Sequence, residues 1–313
     1  MEPASMRHPP AGRPIADSVS ALLSNIIDYA GLFPPASLDM PTTVANYASY
    51  LATDDAWLLE RLVVPAARLD EFEACAADYL PTSAQTDPWP ISALTAPAGD
   101  ERLAADLKRI ASFNDIHRTP ERGLALIDVI ELKADAAEAI DHALDQIPDD
   151  LYPFFELPTR DDPRGLIASL VGGEAGAKIR TGGVTADRYP SPPDVARFIA
   201  ACASADVPFK ATAGLHHPLR HDSEAVGTKE FGFVNVFIAA ALALNADLAE
   251  SDLLPVLEEE SIDAFVFHED GLTWRDYKLT AQQLEDTRLA LAISFGSCSF
   301  DEPRADLRAL GLL

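Results

Sequence analysis

Short apolar segments alternate with longer segments of helical period along most of the chain. The apolar segments are rich in β-branched residues, and several end at charged residues followed by glycine or proline. This alternation is typical of a parallel β-sheet whose strands are connected by helices. We predict nine strands, at residues 26–33, 62–65, 91–96, 124–131, 152–157, 177–181, 208–213, 264–268 and 292–295.

Helices are predicted between these strands, near residues 41–53, 68–79, 99–113, 134–146, 163–171, 192–205, 233–249 and 280–291. Nine strands in this alternation predict an α/β fold, a (β/α)8 barrel of TIM type with one extra element. The main rival is an open doubly wound sheet that binds a nucleotide. The chain has neither a G-x-G-x-x-G after its first strands nor a G-x-x-x-x-G-K-[ST] motif, which favours the barrel.

We expect a disordered tail at residues 1–14 and a single barrel domain at residues 15–313. The loop that follows the strand at 208–213 is longer than the usual connection in such a barrel, and long loops of this kind often bind ligands. In a barrel the chemistry lies at the carboxyl ends of the strands, so charged residues there are the first candidates for a functional site.

Composition and charge narrow the class of partner. The net charge is −26, which disfavours nucleic acid and anionic membranes, and no apolar run is long enough to span a bilayer. The three cysteines are widely spaced and form no CxxC pair, as expected for a cytoplasmic protein without disulfides. The sequence leaves open whether the chain forms a homo-oligomer.

Two of the six lysines of the chain lie inside apolar, strand-like segments, Lys178 in "AKIRTGG" and Lys210 in "FKATAG". Burial, and a second ammonium nearby, both disfavour a charged amine, so one of the two could serve as the nucleophile that forms a Schiff base with a carbonyl compound. Alternatively, each lysine pairs at the barrel mouth with a carboxylate such as Asp128 or Glu156. From the residues alone, either lysine qualifies as the nucleophile.

The segments "KIRTG" at 178–182 and "KATAG" at 210–214 resemble the two lysine strands of deoxyribose-phosphate aldolase, a class I aldolase barrel. "LIDVIEL" at 126–132 and "PFFELPT" at 153–159 are similar to two further strands of that family, so the resemblance covers about a third of the chain. It implies that Lys178 forms the Schiff base, that Lys210 favours the neutral form of that amine, and that Asp128 moves a proton during cleavage of a carbon–carbon bond. Glu156 joins them as a candidate catalytic residue. Arg180 replaces a small hydroxyl residue of the family, which indicates a different substrate.

The segment from residue 178 to 221 carries more basic than acidic residues, in contrast to the rest of the chain, and is the predicted place for an anionic ligand. Guanidinium groups, glycine turns, hydroxyls and imidazoles there and in "SFGSCSF" are suited to binding a phosphate or carboxylate. The candidate substrate-binding residues are Arg180, Thr181, Gly182, Gly183, His216, His217, Arg220, Gly296, Ser297 and Ser299.

The sequence therefore predicts a lyase or aldolase that forms a lysine Schiff base with a small anionic, phosphorylated carbonyl compound. It predicts no cofactor. One alternative is a metal-dependent lyase or hydrolase that uses His216, His217 or His268 with Glu156 and Asp128 as ligands. The other alternative is a barrel that binds an anion without catalysing a reaction.

Overall fold

A computed structural model of the protein describes residues 6–12, 15–246 and 248–313. In the described residues the strands are β1 (Ile27–Tyr29), β2 (Leu59–Pro65), β3 (Trp89–Leu94), β4 (Ala125–Lys133), β5 (Tyr152–Glu156), β6 (Gly176–Arg180), β7 (Phe209–Thr212), β8 (His221–Ser223), β9 (Thr228–Glu230), β10 (Phe265–His268), β11 (Gly271–Trp274), β12 (Tyr277–Thr280) and β13 (Ala292–Ser297).

Eight of these strands close a parallel barrel in the order β1-β13-β7-β6-β5-β4-β3-β2. The predicted (β/α)8 barrel is thus confirmed, and eight of the nine predicted strands form it. The ninth, predicted at 264–268, is instead the first strand of a separate antiparallel sheet, β10-β11-β12. This sheet is the extra element of the fold.

Helices surround the barrel: α1 (Asp17–Leu23), α2 (Met40–Leu51), α3 (Leu69–Ala76), α4 (Leu103–His117), α5 (Ala137–Leu144), α6 (Arg164–Ala168), α7 (Pro192–Ala205), α8 (Phe233–Asn245), α9 (Glu250–Leu257), α10 (Ala281–Ala290) and α11 (Asp301–Ala309). All eight predicted helices are present. The sequence analysis missed α1, α9 and α11, which are short or lie near the ends of the barrel.

Strand β6 illustrates how the alternation of side chains positions the site. Ala177 and Ile179 are fully buried in the hydrophobic core. Side chains on a strand alternate between its two faces, so Lys178 and Arg180 lie on the face opposite to that pair. That face forms the interior of the barrel, because the amine of Lys178 reaches carboxylates on β4 and β5.

The long connection after β7 is held by the start of α8. It contains the hairpin β8-β9, whose pairing joins His221 to Glu230. Asn235, in the first turn of α8, accepts a hydrogen bond from the backbone of Arg220 and donates two to carbonyls after α9 and at its end. A Cβ at Gly232 would overlap the backbone of Pro218 and Leu219, so only glycine allows the loop to pass this close. The predicted long loop is therefore an ordered part of the fold.

Arg288 ties the amino-terminal end of the barrel together. Its side chain is buried and donates hydrogen bonds to backbone carbonyls at the end of α1 and in β13, namely those of Leu22, Ser24, Asn25, Ala292 and Ile293. Arg7 lies at the same end, where its guanidinium donates to the carbonyl of Leu59. Of the predicted tail, residues 1–5, 13 and 14 lie outside the described residues, whereas Arg7 is bound to the barrel.

In the described part of the chain, no helix combines the length and the apolar character needed to cross a membrane.

Replacing Arg288 with methionine is expected to lower the free energy of unfolding by about 3–5 kcal/mol, because several buried carbonyls lose their donor. Denaturation by urea, followed by circular dichroism, measures the change. Arg118→Met is the matched control, since 68% of the Arg118 side chain is exposed and its removal should change stability little. Equal stability of both variants would show that Arg288 does not hold this end of the barrel.

Candidate functional site

Two lysines and one carboxylate form the centre of the barrel interior. Lys178 on β6 lies directly beside Lys210 on β7 in the register of the sheet. Glu131, from β4, reaches both: its Oε2 is 2.6 Å from Nζ of Lys178, and its Oε1 is 2.6 Å from Nζ of Lys210. All three side chains are at least 95% buried. Both ammonium groups therefore contact the same carboxylate, whose negative charge offsets the repulsion between them.

Further polar groups form ion pairs and hydrogen bonds with these three side chains. Asp28 on β1 lies 2.8 Å from Nζ of Lys210, and Glu156 on β5 lies 3.2 Å from Nζ of Lys178. Hydroxyl groups donate to two of the carboxylates, Ser92 to Glu131 and Ser294 to Asp28. Because buried charges are costly unless they are paired and hydrogen-bonded, this network is what allows two ammonium groups to remain inside the barrel.

The pKa values follow from burial and pairing. Burial by itself raises the pKa of Glu131, but the charges of Lys178 and Lys210 outweigh burial and hold this pKa well below its ordinary value. Burial would lower the pKa of Lys210, yet the charges of Asp28 and Glu131 raise it. Lys210 therefore keeps its proton and acts as a fixed cation beneath Glu131. The pKa of Glu156 is lowered as well, since Lys178 and Arg180 together outweigh its burial.

A cavity of about 380 Å³ opens above this network at the carboxyl ends of the strands. Its floor includes Glu131, Glu156 and Lys178. Its wall contains both apolar and basic side chains. The apolar group is Phe33, Pro34, Val63, Leu94 and Val184, and the basic group is Lys133, Arg180 and Arg188.

The two lysines face different spaces. Lys178 lines the cavity at the barrel mouth, whereas Lys210 lines a smaller cavity of about 70 Å³ at the opposite end, together with Glu60 and Arg61. The amine of Lys178 is thus placed next to a space of ligand size. The amine of Lys210 lies one level deeper, below Glu131 and beside Asp28.

Four of the predicted substrate-binding residues line the cavity at the mouth: Arg180, Gly183, His216 and Gly296. Arg180 donates from Nε to Oε1 of Glu156 at 3.1 Å, and 37% of its side chain stays exposed. Arg180 lies two positions after Lys178 and therefore points to the same face of β6, towards the cavity.

Thr181 and Gly182 support the strand ends. The hydroxyl of Thr181 donates to the carbonyl of Ala213, which joins the ends of β6 and β7. A Cβ at Gly182 would lie 2.9 Å from the α-carbon of Gly214 and closer still to the ring of Tyr189. Glycine is therefore required for close packing at this position, not for contact with a ligand.

The hydroxyls of "SFGSCSF" are engaged within the loop itself. Ser297 donates to the carbonyl of Ser299 at 2.6 Å, and the hydroxyl of Ser299 accepts from the backbone of Glu302 in α11. This use of the hydroxyls differs from the predicted anion-binding loop, because internal hydrogen bonds already satisfy them.

His217 and Arg220 lie away from the cavity at the mouth. His217 contacts Asp306 on α11 through Nδ1 at 2.5 Å, and the ring of His221 packs edge-on against it. The guanidinium of Arg220 stacks on Phe231 at 4.7 Å, and burial lowers its pKa. The long loop therefore brings only the first of its histidines, His216, to the cavity.

Asp128 occupies a different place from the predicted one beside the lysines. It pairs with Arg61 at 3.1 Å, and the pairing of β3 with β4 skips it, since Ile91 pairs with Ile127 and Ser92 with Val129. The strand is irregular at Asp128, and Glu131 lies three positions further towards its carboxyl end, where it pairs in register with Leu94. Glu131 therefore takes the position that the resemblance assigned to Asp128.

Sequence reasoning missed Glu131 and left Asp28 without a role. A signal for Glu131 was present, since it alternates with Val129 and Lys133 along the strand. No local signal identifies Asp28, because its partner Lys210 is 182 positions away and meets it only when the barrel closes.

Among residues 6–12, 15–246 and 248–313, no group of three or more His, Cys, Asp or Glu side chains is arranged to hold a metal ion. His268, a ligand in the metal-dependent alternative, lies on β10 in the separate sheet and contacts Thr273. The geometry therefore gives the metal-dependent reading no specific support.

The fold and the site together define a (β/α)8 barrel with a buried lysine–carboxylate network under an open mouth. Comparison with models of known protein families finds no match for the chain, and comparison with curated proteins finds none either. The geometry of the site is therefore the basis for proposing a function.

Glu131→Gln is expected to lower the free energy of unfolding near pH 7 by about 3–5 kcal/mol, because it leaves two buried ammonium groups without their shared counter-charge. The folded-state pKa of Glu131 is depressed, so its contribution is present above the ordinary pKa of 4.5 and is lost as the pH falls towards the folded value. The difference between wild type and variant should therefore shrink below about pH 4.5.

Urea denaturation at a series of pH values measures this difference, with the exposed Glu121→Gln as the control. A difference that stayed constant from neutral to acidic pH would contradict a stabilising role for the charge of Glu131.

Proposed function

We propose that the protein is a carbon–carbon lyase of the class I aldolase type, in which Lys178 forms a Schiff base with a small anionic carbonyl compound. The observation that carries the proposal is the position of Lys178. It is the lysine of the buried network that lines the cavity at the mouth, while Lys210 is held below it by Asp28 and Glu131. This asymmetry supports Lys178 as the nucleophile and Lys210 as a permanent cation.

The carboxylates around Lys178 suit the charge of a Schiff base. An iminium ion carries its positive charge at the nitrogen, as the ammonium does, so Glu131 and Glu156 stabilise both. The amine must lose its proton before it attacks a carbonyl carbon. Glu131 is shared with Lys210, so its charge is not directed at Lys178 alone.

The wall of the cavity indicates the kind of substrate. Lys133, Arg180 and Arg188 provide positive charge in the cavity wall, which also includes apolar residues such as Phe33 and Leu94. Guanidinium groups bind carboxylates and phosphates in a bidentate manner. We therefore propose a substrate with a carbonyl carbon near Lys178, a short apolar body and an anionic end held at the basic rim.

A reducing, cytoplasmic setting is part of the same proposal and is supported by the cysteines. Cys75, Cys202 and Cys298 all carry free thiols in the structure.

Borohydride reduction in the presence of pyruvate, 4-oxopentanoate or glyceraldehyde 3-phosphate is expected to fix an adduct on Lys178, detected by peptide mass spectrometry. Lys178→Arg keeps the positive charge but cannot form the imine under these conditions, so the adduct should disappear. Lys108→Ala, on the exposed face of α4, is the control and should trap as the wild type does. Thermal stabilisation by these compounds without any adduct would indicate a non-catalytic anion-binding barrel instead.

Arg188→Gln should weaken the binding of anionic probes about 10- to 100-fold, as expected for the loss of roughly 1.5–3 kcal/mol from a hydrogen bond to a charged group. The half-saturation for trapping of 4-oxopentanoate measures this, and the neutral ketone butanone should show no change. Arg164→Gln, which removes an exposed guanidinium paired with Asp162, is the matched control. An equal loss for both ketones would argue against an anion site at the rim.

A further inference from the structure

Two consecutive histidines after β7 pair with two carboxylates that lie one turn apart on α11. Nδ1 of His216 is 3.3 Å from Glu302, and Nδ1 of His217 is 2.5 Å from Asp306. Residues four positions apart on a helix lie on the same face, so α11 presents one carboxylate to each ring. Only His216 also lines the cavity above Lys178, whereas 41% of the His217 side chain is exposed.

The surroundings of His216 define which of its nitrogens is available. Its side chain is 14% exposed, and Nδ1 faces Glu302 without any hydrogen bond of good geometry to the described residues. Nε2 lies 4.0 Å from the thiol of Cys298, which lines the same cavity. Burial raises the pKa of Cys298, so this neighbour is a neutral thiol. A carboxylate on one nitrogen and a neutral group on the other leave Nε2 as the nitrogen that can exchange a proton with a ligand.

The carboxylates of the lysine network are poorly suited to this task. Glu131 is engaged by Lys178, Lys210 and Ser92, and Glu156 by Lys178 and Arg180. The pKa of each is held low by these cations, so both are weak bases. The proposed reaction therefore requires another group that accepts and returns protons near neutral pH. Imidazole is the side chain best suited to this role.

We infer that His216 is the acid–base residue of the reaction, and that Glu302 is its positioning residue. This inference builds on the proposed function, because it concerns the substrate held on Lys178. The carboxylate of Glu302 lies 3.3 Å from Nδ1, where its negative charge faces the imidazolium that forms when Nε2 takes up a proton.

In the inferred reaction His216 accepts one proton before the carbon–carbon bond breaks and returns it afterwards. With a hydroxyl-bearing substrate bound as an iminium ion on Lys178, Nε2 of His216 takes the hydroxyl proton. The bond between the hydroxyl carbon and its neighbour breaks, an aldehyde leaves, and the electron pair moves into the iminium ion to give a neutral enamine. His216 then returns the proton to the enamine carbon, and water releases the second carbonyl product from Lys178.

The exchange of carbon-bound hydrogen tests His216 separately from Schiff-base formation. Wild-type protein in D2O is expected to exchange the hydrogens next to the carbonyl of 4-oxopentanoate, as followed by proton NMR. His216→Gln should slow this exchange by about 100-fold or more, the usual contribution of a general base, while borohydride still traps the probe on Lys178. His217→Gln is the matched control, because it removes the neighbouring ring, which pairs with Asp306 outside the cavity. This variant should leave both measurements unchanged.

Addition of imidazole distinguishes proton transfer from a structural role. His216→Ala opens space beside Cys298, and free imidazole should restore part of its exchange, which a folding defect would not permit. Glu302→Gln should slow exchange without weakening probe binding, and Glu302→Asp should restore exchange because it restores the carboxylate.

The outcomes separate the two proposals. Wild-type adduct with undiminished exchange in His216→Gln overturns the role of His216 and leaves the Schiff base intact. Wild-type protein that forms no adduct with any of the three probes contradicts the Schiff base on Lys178, and the role of His216 falls with it. Loss of exchange in His217→Gln to the same extent as in His216→Gln also overturns the inference, since the cavity would then not be what distinguishes the two rings.

Discussion

The carboxylate of Glu131, shared by two buried lysines, is the interaction on which the interior of this barrel depends. The parallel register of β6 and β7 places Lys178 directly beside Lys210, and two ammonium groups so close in a low-dielectric interior repel each other. Glu131 gives one oxygen to each amine, and Asp28 and Glu156 add a second contact on either side. The pair of lysines is stable only as part of this alternating set of charges.

Depth within the barrel gives the two lysines different chemistry. Lys210 lies between Asp28 and Glu131, and its pKa is raised because both carboxylates favour the charged form. Lys178 lies nearer the mouth and borders the cavity. A fixed cation below and an accessible amine above is the arrangement that the proposed Schiff-base chemistry uses. Its two ion pairs, with Asp28 and Glu131, keep the charged amine of Lys210 inside the barrel.

The residues proposed to bind the anion and to transfer protons lie at the mouth of the barrel, outside the lysine network. Glu131 and Glu156 are paired with cations, which outweigh burial and lower the pKa of each carboxyl group. Arg180 links this network to the basic rim through Glu156, and His216, carried by the loop after β7, borders the cavity with Glu302 of α11 behind it. The roles proposed for charge stabilisation, anion binding and proton transfer thus fall to residues from different strands and loops, as is usual for enzymes of this fold.

The amino-acid sequence by itself determined the barrel, because the alternation of strand and helix periods is a local property that burial enforces along each element. It also singled out Lys178, Lys210, Arg180 and His216 as candidates, since charged side chains in apolar or loop segments stand out from their neighbours, and the structure places all four beside cavities of the barrel. The sequence did not distinguish Glu131 from Asp128 as the partner of the lysines. The irregular pairing of β4 at Asp128, the pairing of Asp128 with Arg61, and the closure that brings in Asp28 decide that question. The sequence also did not show that the strand predicted at 264–268 lies outside the barrel, or that His216 borders the cavity while His217 does not. Those outcomes depend on which elements pack together, and packing between residues distant in the chain exists only in the tertiary structure.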